Sequence, residues 1–321
     1  ERAARLGAHR EAARMYHLAL ERGGVDDPLE RAGLLAAAAD EHYVVSEHEA
    51  AIAAVDAALA VHEGRGDRLR AGDMRRRRSR YLWVTGRSAD AREEARLSTE
   101  ALEGLPAGRE TAMALSNRAQ LAMLEEDCET AVELGVRAVE LAERLGDDAV
   151  LAHALTNTGS ARFIRGDDAG LAELTRALRL ALDAGMEEHV ARVYCNIGAV
   201  GTRSRRHDLA VRHLDAGIAY TTERGLDGWV GYLLAWRGAV ALSMGHWDEA
   251  ERWAVRAGEH PGAKELDHIV ALTTLGVLRA RRGDDPSEAL EGAWALSVPT
   301  GELQRLGPAA AARAEAALLA G

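Results

Sequence analysis

Residues able to bind a ligand recur along this chain at a nearly constant interval. Asn117, Asn157 and Asn196 form a series, with Arg77 one interval before it and Trp236 one interval after it. An asparagine side chain both donates and accepts hydrogen bonds, so a row of asparagines can pair with an extended peptide backbone of any sequence. Arginine forks suit carboxylates or phosphates, and aromatic rings suit a sugar face or an apolar side chain. These residue types favour binding.

The interval belongs to an internal repeat of about 40 residues. Small residues recur at steps of 40, 40, 40, 39, 40 and 38, and they are Ala39, Ser79, Ala119, Gly159, Gly198, Gly238 and Gly276. A second series lies 12 residues after the first, or 13 in the last repeat, and comprises Ala12, Ala51, Ala91, Ala131, Leu171, Ala210, Ala250 and Ala289. A third series follows seven residues later, and Leu171 and Leu178 interrupt the second and third series in the same repeat.

The repeat unit is predicted to be a pair of helices. Clusters of Gly, Asp and Ser such as "RGDDAG" separate the first two series, and apolar residues on either side are spaced three and four apart. We call the helix with the first series helix A and the next one helix B. Small residues are needed where A and B cross closely, and successive pairs must stack to bury a continuous core. The chain is expected to hold about eight such pairs, with a ninth A helix if the terminal pieces are included.

The spacing of 12 and then 7 residues, together with Asn two residues before the small position in "TNTGSA" and "CNIGAV", resembles the tetratricopeptide repeat (TPR). The resemblance covers the chain and implies an all-α, TPR-like, right-handed solenoid, with residues 1–321 as one domain. The sequence departs from the family in its longer period, its missing terminal proline and its scarce large aromatics. HEAT and armadillo repeats fit a 40-residue period better, but they lack this small-residue spacing.

In TPR arrays the A helices form the concave inner wall, and the resemblance implies that ligands bind there. The predicted groove residues lie two or six positions before the small residue, or one after it. They are Arg77, Arg80, Asn117, Gln120, His153, Asn157, Arg192, Asn196, Tyr232 and Trp236. The alternative is that each Asn bonds a neighbouring helix and each Trp fills the core. For the three asparagines of the series both roles stay open, and for Trp236 core packing is favoured.

Signatures of catalysis and metal binding are missing from the sequence. The only lysine is Lys264, outside any glycine loop, so this segment has no P-loop of its own. The histidines and cysteines show no HExxH, no pair at i and i+4 and no zinc spacing. Carboxylates in "LEEDCE", "ERLGDD" and "RGDDAG" are interpreted as helix caps. The segment is therefore predicted to have no catalytic residues, no metal and no cofactor.

The net charge and the two cysteines indicate which classes of partner and which compartment to expect. A net charge of −11 argues against nucleic-acid contact and against binding an anionic membrane surface. The run "RRRRSR", with Arg75 to Arg78 and Arg80, is interpreted as a solvated helix face. Cys128 and Cys195 are expected to be reduced and partly buried thiols in a cytoplasmic protein, since neither has a CxxC partner. The sequence shows no membrane span and no signal peptide.

Segments such as "SRYLWVTGRSADA", "ALSNRAQLAMLEED" and "AERLGDDAVLAHALTNTGSARF" are similar to the repeat region of large ATP-binding regulators of the LuxR family. That resemblance implies an upstream ATPase module that binds ATP, a downstream helix-turn-helix, and a repeat region that senses an inducer or a protein partner. Both ends of the chain read as parts of A helices, so we expect a piece of a longer protein whose solenoid ends can self-associate. A freestanding adaptor that grips an extended tail is the main alternative, and a peptide-pheromone receptor is a third.

Overall fold

A computed structural model describes residues 8–22, 24–261 and 265–321, and every regular element in these ranges is helical. The B helices carry odd numbers and are α1 (His9–Glu21), α3 (His48–Gly64), α5 (Ser88–Leu102), α7 (Cys128–Leu145), α9 (Ala169–Asp183), α11 (His207–Glu223), α13 (Trp247–Glu259) and α15 (Ser287–Ser297). The A helices carry even numbers and are α2 (Pro28–Val44), α4 (Arg68–Val84), α6 (Arg109–Leu124), α8 (Asp148–Ile164), α10 (Glu187–Arg203), α12 (Asp227–Ser243), α14 (Glu265–Arg282) and α16 (Leu303–Ala320). The prediction of an all-α chain of helix pairs is confirmed. The ninth A helix predicted at the N-terminal end lies outside the described residues.

The turns follow from the polar clusters that separate the helices. Asp127 and Asp147 accept hydrogen bonds from the backbone amides of Thr130 and Val150, at 3.2 and 3.0 Å. A helix leaves its first backbone N–H groups unpaired, and an aspartate at the N-cap satisfies one of them. Gly146 ends α7 in the left-handed region at φ 64°, where glycine carries no side-chain clash. These aspartates are helix caps, as the sequence predicts.

The small residues allow A and B helices to approach closely. A Cβ atom added to Gly198 would lie 2.4 Å from Cδ2 of Leu214, and one added to Gly276 would lie 2.3 Å from the same atom of Leu290. Ser79 and Ala119 have no solvent exposure. A larger side chain at these positions would force the two axes apart, so the periodic small residues have the steric role that the sequence assigned to them.

One repeat departs from the predicted register. In α9 the small residues Gly170 and Ala177 are buried, whereas Leu171 and Leu178 are only partly buried. A Cβ atom on Gly170 would lie 2.4 Å from the carbonyl oxygen of Gly159, so the two backbones nearly touch. The two leucines therefore do not replace the small residues of this repeat. The small residues are present one position earlier, because the turn before α9 places the helix differently.

Contacts within the chain divide it into two compact units, unit 1 (Glu1–Arg118) and unit 2 (Ala119–Gly321). Unit 1 has a core around Val55 and Leu82, both fully buried. Unit 2 has several clusters, one of them around Leu214 and Leu233. The expectation of a single domain over residues 1–321 stays a prediction. Within the described parts of the chain, none of the helices has both the length and the apolar character that a membrane span requires.

Candidate functional site

The predicted groove residues of unit 1 are held by other groups of the same unit. Arg77 on α4 donates from Nε to Asp73 Oδ2 at 2.9 Å and from Nη1 to Asp40 Oδ2 at 2.5 Å. Burial would raise the pKa of Asp73, but the charges of Arg76 and Arg77 outweigh it and hold that pKa well below its usual value. Asp40 also accepts a hydrogen bond from the hydroxyl of Tyr81 at 2.7 Å. The Arg77 side chain is therefore part of an ion-pair network within unit 1.

Arg80 lies among aromatic rings of unit 1. Its guanidinium carbon is 4.9 Å from the centre of the Trp83 ring and 5.6 Å from that of Tyr43. Its Nε also donates to the Tyr43 hydroxyl at 3.0 Å. Such cation–π contacts stabilise a partly buried arginine.

The interpretation of the arginine run as a solvated face is wrong. The side chains of Arg75 to Arg78 are between 16 and 25 % exposed. Arg78 donates to Asp56 at 2.5 Å and to Glu94 at 2.6 Å, and Arg75 donates to the other oxygen of Glu94 at 3.0 Å. The physical reason is that α4 packs between α3 and α5, and both B helices turn carboxylates toward it. The absence of nucleic-acid contact stays a prediction.

Each asparagine of the series bonds a side chain of the protein. Asn117 donates to Ser79 Oγ, and Asn196 donates to Ser160 Oγ, both at 2.9 Å and both across two successive A helices. The Asn157 amide lies 3.3 Å from Nδ1 of His153, one turn back on the same helix. Two of the three asparagines therefore have the inter-helix role that the sequence left open. That these side-chain amides also bind a ligand stays a prediction.

The predicted groove residues of unit 2 recur at the same register on three successive A helices. We call them the unit-2 row, and they are His153 and Asn157 on α8, Arg192 and Asn196 on α10, and Tyr232 and Trp236 on α12. The ring of His153 meets that of His189 edge-on at 5.9 Å, and the Arg192 guanidinium lies 5.9 Å from the Trp229 ring centre. In each contact the first residue lies six positions before the small residue of its own A helix. Its partner lies nine positions before the small residue of the next A helix. Gln120, also predicted for the groove, is buried at 6 % exposure near the end of α6.

Arg192 has the least complete hydrogen bonding of the predicted arginines. Its side chain is 7 % exposed, and Nη2 donates to Oε1 of Glu188 at 2.6 Å. Its Nε and Nη1 atoms have no hydrogen-bond acceptor among the described residues. A buried, charged donor without an acceptor is costly, and native structures usually satisfy such groups.

Aromatic residues close one end of the unit-2 row. Tyr232 and Trp236 meet edge-on at 6.2 Å, and both pack with Trp229 against the cluster around Leu214 and Leu233. The core packing favoured for Trp236 is therefore present. Burial raises the pKa of the Tyr232 hydroxyl and of the neighbouring Cys195 thiol well above their usual values. Both groups stay neutral near pH 7, and neither is an activated nucleophile.

Three residues next to the row were missed by the sequence reasoning. His189, Trp229 and Asp267 lie nine positions before the small residues of α10, α12 and α14. They could have been found by extending the same periodicity back by one more helical turn. Among the described residues, no group of three or more His, Cys, Asp or Glu side chains is placed to hold a metal ion.

Solved structures with a similar fold are helical-repeat proteins. A Rap protein in complex with competence and sporulation factor has 13 % identity and a TM-score of 0.62, with 92 % of this chain and 76 % of that one covered. NprR in complex with its cognate peptide NprX has 12 % identity and a TM-score of 0.55, with 88 % and 82 % covered.

A third similar structure is a signal transduction ATPase with numerous domains (STAND) from Pyrococcus horikoshii that has a tetratricopeptide-repeat sensor. It has 13 % identity and a TM-score of 0.52, and the aligned region covers 99 % of this chain but only 50 % of that one. No family model matches the sequence. A search of curated proteins also finds no match. At these identities the similarity shows the fold, which is an all-α array of TPR-like helix pairs.

Proposed function

We propose that this chain is a non-enzymatic sensor and interaction domain that binds a peptide or a protein segment along the unit-2 row. One observation carries the proposal, namely that polar and aromatic side chains recur at one register on α8, α10 and α12. Packed helices lie about 8–10 Å apart, so such a row presents a similar chemical group at regular intervals. An extended peptide offers backbone donors and acceptors along its length and matches a row of this kind.

The similar solved structures support a peptide over a small molecule. NprR was solved with its cognate peptide, and the Rap protein with competence and sporulation factor. A small-molecule inducer is the second ligand class and is tested beside peptides below.

We also propose that the domain belongs to a LuxR-type, ATP-dependent transcriptional regulator in the cytoplasm. The support is the sequence resemblance given above and the fold shared with the TPR sensor of a STAND protein. ATP would bind in a separate module, and the ligand would shift an equilibrium between inactive and active states. A difference in affinity of a few kcal/mol between the two states is enough for such a shift.

The rival proposal is a freestanding adaptor that grips the tail of a partner protein. The full-length reading frame separates the two. A GxxxxGK[ST] motif upstream and a helix-turn-helix downstream favour the regulator, whereas a stop codon shortly after Gly321 favours the adaptor.

A thermal-shift screen tests ligand binding. The chain is mixed with short peptides, sugars, nucleotides and acyl metabolites, and we expect specific stabilisation by peptides. A ligand at 100 times its Kd adds about 2.7 kcal/mol to the stability. No stabilisation by any class would contradict the proposal.

Two matched variants locate the site. Asn196→Ala and Asn117→Ala each remove an amide that bonds a serine of the preceding A helix, in unit 2 and unit 1 respectively. We expect the first variant to lose the stabilisation by peptide and the second to keep it. Equal responses in the two variants would place binding outside the unit-2 row.

A further inference from the structure

We infer that the unit-2 row binds a ligand through a carboxylate group, and that Arg192 is the residue that pairs with it. The inference rests on the proposed function and adds the chemical class of the ligand group that is recognised. It is carried by the position, burial and incomplete hydrogen bonding of a single guanidinium.

Arg192 points along the row instead of outward to solvent. Its guanidinium reaches from α10 to the ring of Trp229 on α12, and only 7 % of the side chain is exposed. His153 on α8 occupies the equivalent position one repeat earlier and makes the equivalent contact with His189. Arg192 therefore lies in the middle of the row, with a histidine pair on one side and aromatic rings on the other.

The free donors of Arg192 match a carboxylate. A guanidinium has five N–H groups, of which Nε carries one and Nη1 carries two. These three have no acceptor among the described residues, while Nη2 is bonded to Glu188. A carboxylate on either edge of the planar fork pairs with one of these nitrogens and with Nη2. Glu188 is 38 % exposed and can turn to water when the ligand arrives.

The local charges favour a carboxylate over a phosphate. Glu188 contacts Arg192 directly, so one nitrogen of the guanidinium already faces a carboxylate. The remaining donors belong to one guanidinium with a single positive charge, which matches a group with a single negative charge better than a dianion. Phosphate sites in proteins usually have several cationic or backbone N–H donors.

Arg77 and Arg237 do not offer free donors in this way. Arg77 in unit 1 is bonded to Asp73 and Asp40, so a ligand carboxylate would have to displace carboxylates of the folded unit. Arg237 in unit 2 is 13 % exposed and pairs with Asp215 on the preceding B helix. Arg237 therefore provides a matched control, since it is a mostly buried arginine of the same unit whose acidic partners lie on B helices.

The experiment measures binding of labelled hexapeptide pools by fluorescence anisotropy. Each pool has Asp or its neutral twin Asn at one defined position and a free or amidated C-terminus, and all other positions are random. We expect at least about a tenfold preference for pools with the carboxylate, because charge-assisted hydrogen bonds to a buried arginine are strong. Preference that follows the Asp position assigns an acidic side chain, and preference that follows the free terminus assigns the C-terminal carboxylate.

Three variants test the role of Arg192. Arg192→Gln is expected to lower binding of the carboxylate pools to the level of their neutral twins, and Arg237→Gln to leave the preference intact. Glu188→Gln is expected to tighten binding of the carboxylate pools, since it removes the acid that competes for Nη2, and this result does not depend on how Arg192→Gln folds. Circular dichroism melts confirm that each variant is folded.

The outcomes separate the inference from the proposed function. Equal binding of charged and neutral pools, or a preference that survives in folded Arg192→Gln, would overturn the carboxylate site and leave peptide binding standing. A wild-type chain that binds none of the pools would overturn both.

Discussion

Arg77 in unit 1 and Arg192 in unit 2 both lie on A helices at predicted groove positions, yet their surroundings differ. Two carboxylates of unit 1 accept hydrogen bonds from Arg77, whereas one half-exposed carboxylate accepts a hydrogen bond from Arg192. The same repeat can therefore use an inner arginine in two ways. Where two acids accept from the arginine it is held within the fold, and where only one does, Nε and Nη1 keep hydrogen-bonding capacity.

The largest effect expected from this contrast comes from Asp73→Ala. Asp73 is 8 % exposed and accepts hydrogen bonds from both Arg76 and Arg77. Its removal leaves both guanidinium groups without this carboxylate. Breaking a buried pair costs about 3–5 kcal/mol. Hydrogen exchange should accelerate in α4 and stay unchanged in α10 of unit 2. Asp215→Ala, which removes an exposed partner of Arg237, is the control. Unchanged exchange in α4 of the Asp73 variant would contradict the stabilising role given to the ion pairs of unit 1.

Acid should weaken the two units in different ways. The pKa of Asp73 is lower in the folded chain than in the unfolded chain, so its contribution to stability is complete above the unfolded value of about 3.9 and is lost as pH falls toward the folded value. Glu173 in unit 2 has the opposite sign, because burial raises its pKa despite the nearby Arg162. We expect α4 to gain exchange on acidification before α9 does. Asp73→Asn should abolish that difference, and a difference that persists would assign it to other groups.

A smaller contrast is expected when each arginine is replaced by methionine. Arg77→Met leaves Asp73 and Asp40 with fewer donors and should lower the stability of unit 1 by about 1–2 kcal/mol. Arg192→Met removes a buried charge with unsatisfied donors, and its effect on unit 2 should stay within about 1 kcal/mol of zero. Denaturant unfolding monitored by hydrogen exchange gives both values. A loss above about 2 kcal/mol for the Arg192 variant would show a mainly structural arginine.

The smallest contrast involves the serines that accept from the asparagines. Ser79→Ala leaves the Asn117 amide, which is 4 % exposed, without its acceptor and should cost about 1–2 kcal/mol. Ser160→Ala does the same to Asn196, which is only partly buried and can bond water, so the cost should be below about 1 kcal/mol. Thermal melts of the two variants test this order. The reverse order would mean that Asn196 depends more on its serine than its exposure indicates.

The sequence predicted the helix pairs well because their signal is local and steric. Gly198 and Gly276 lie where only a small residue fits, and such positions repeat with the architecture. The pairing of the arginine run was not predictable in the same way. Its acids, Asp56 and Glu94, come from helices before and after it, and their approach depends on how three helices pack.

The candidate site was predicted in part. Arg192 was found from the repeat, but its incomplete hydrogen bonding was not, because that depends on which acceptors reach a buried group. Its aromatic neighbour Trp229 obeys the same period and could have been included. Residue type and spacing therefore indicate which side chains share a face, and packing decides which of them keep hydrogen-bonding capacity.

The one-residue offset of α9 bears on how this protein can be rebuilt from its own parts. A helix turns by about 100° per residue, so moving the packed positions from Leu171 to Gly170 requires the helix to be rotated by that amount. A chimera that replaces α9 with another B helix of the chain would present the wrong side to α8 unless the preceding turn were exchanged with it. The unit of exchange in this array is thus a helix together with its turn.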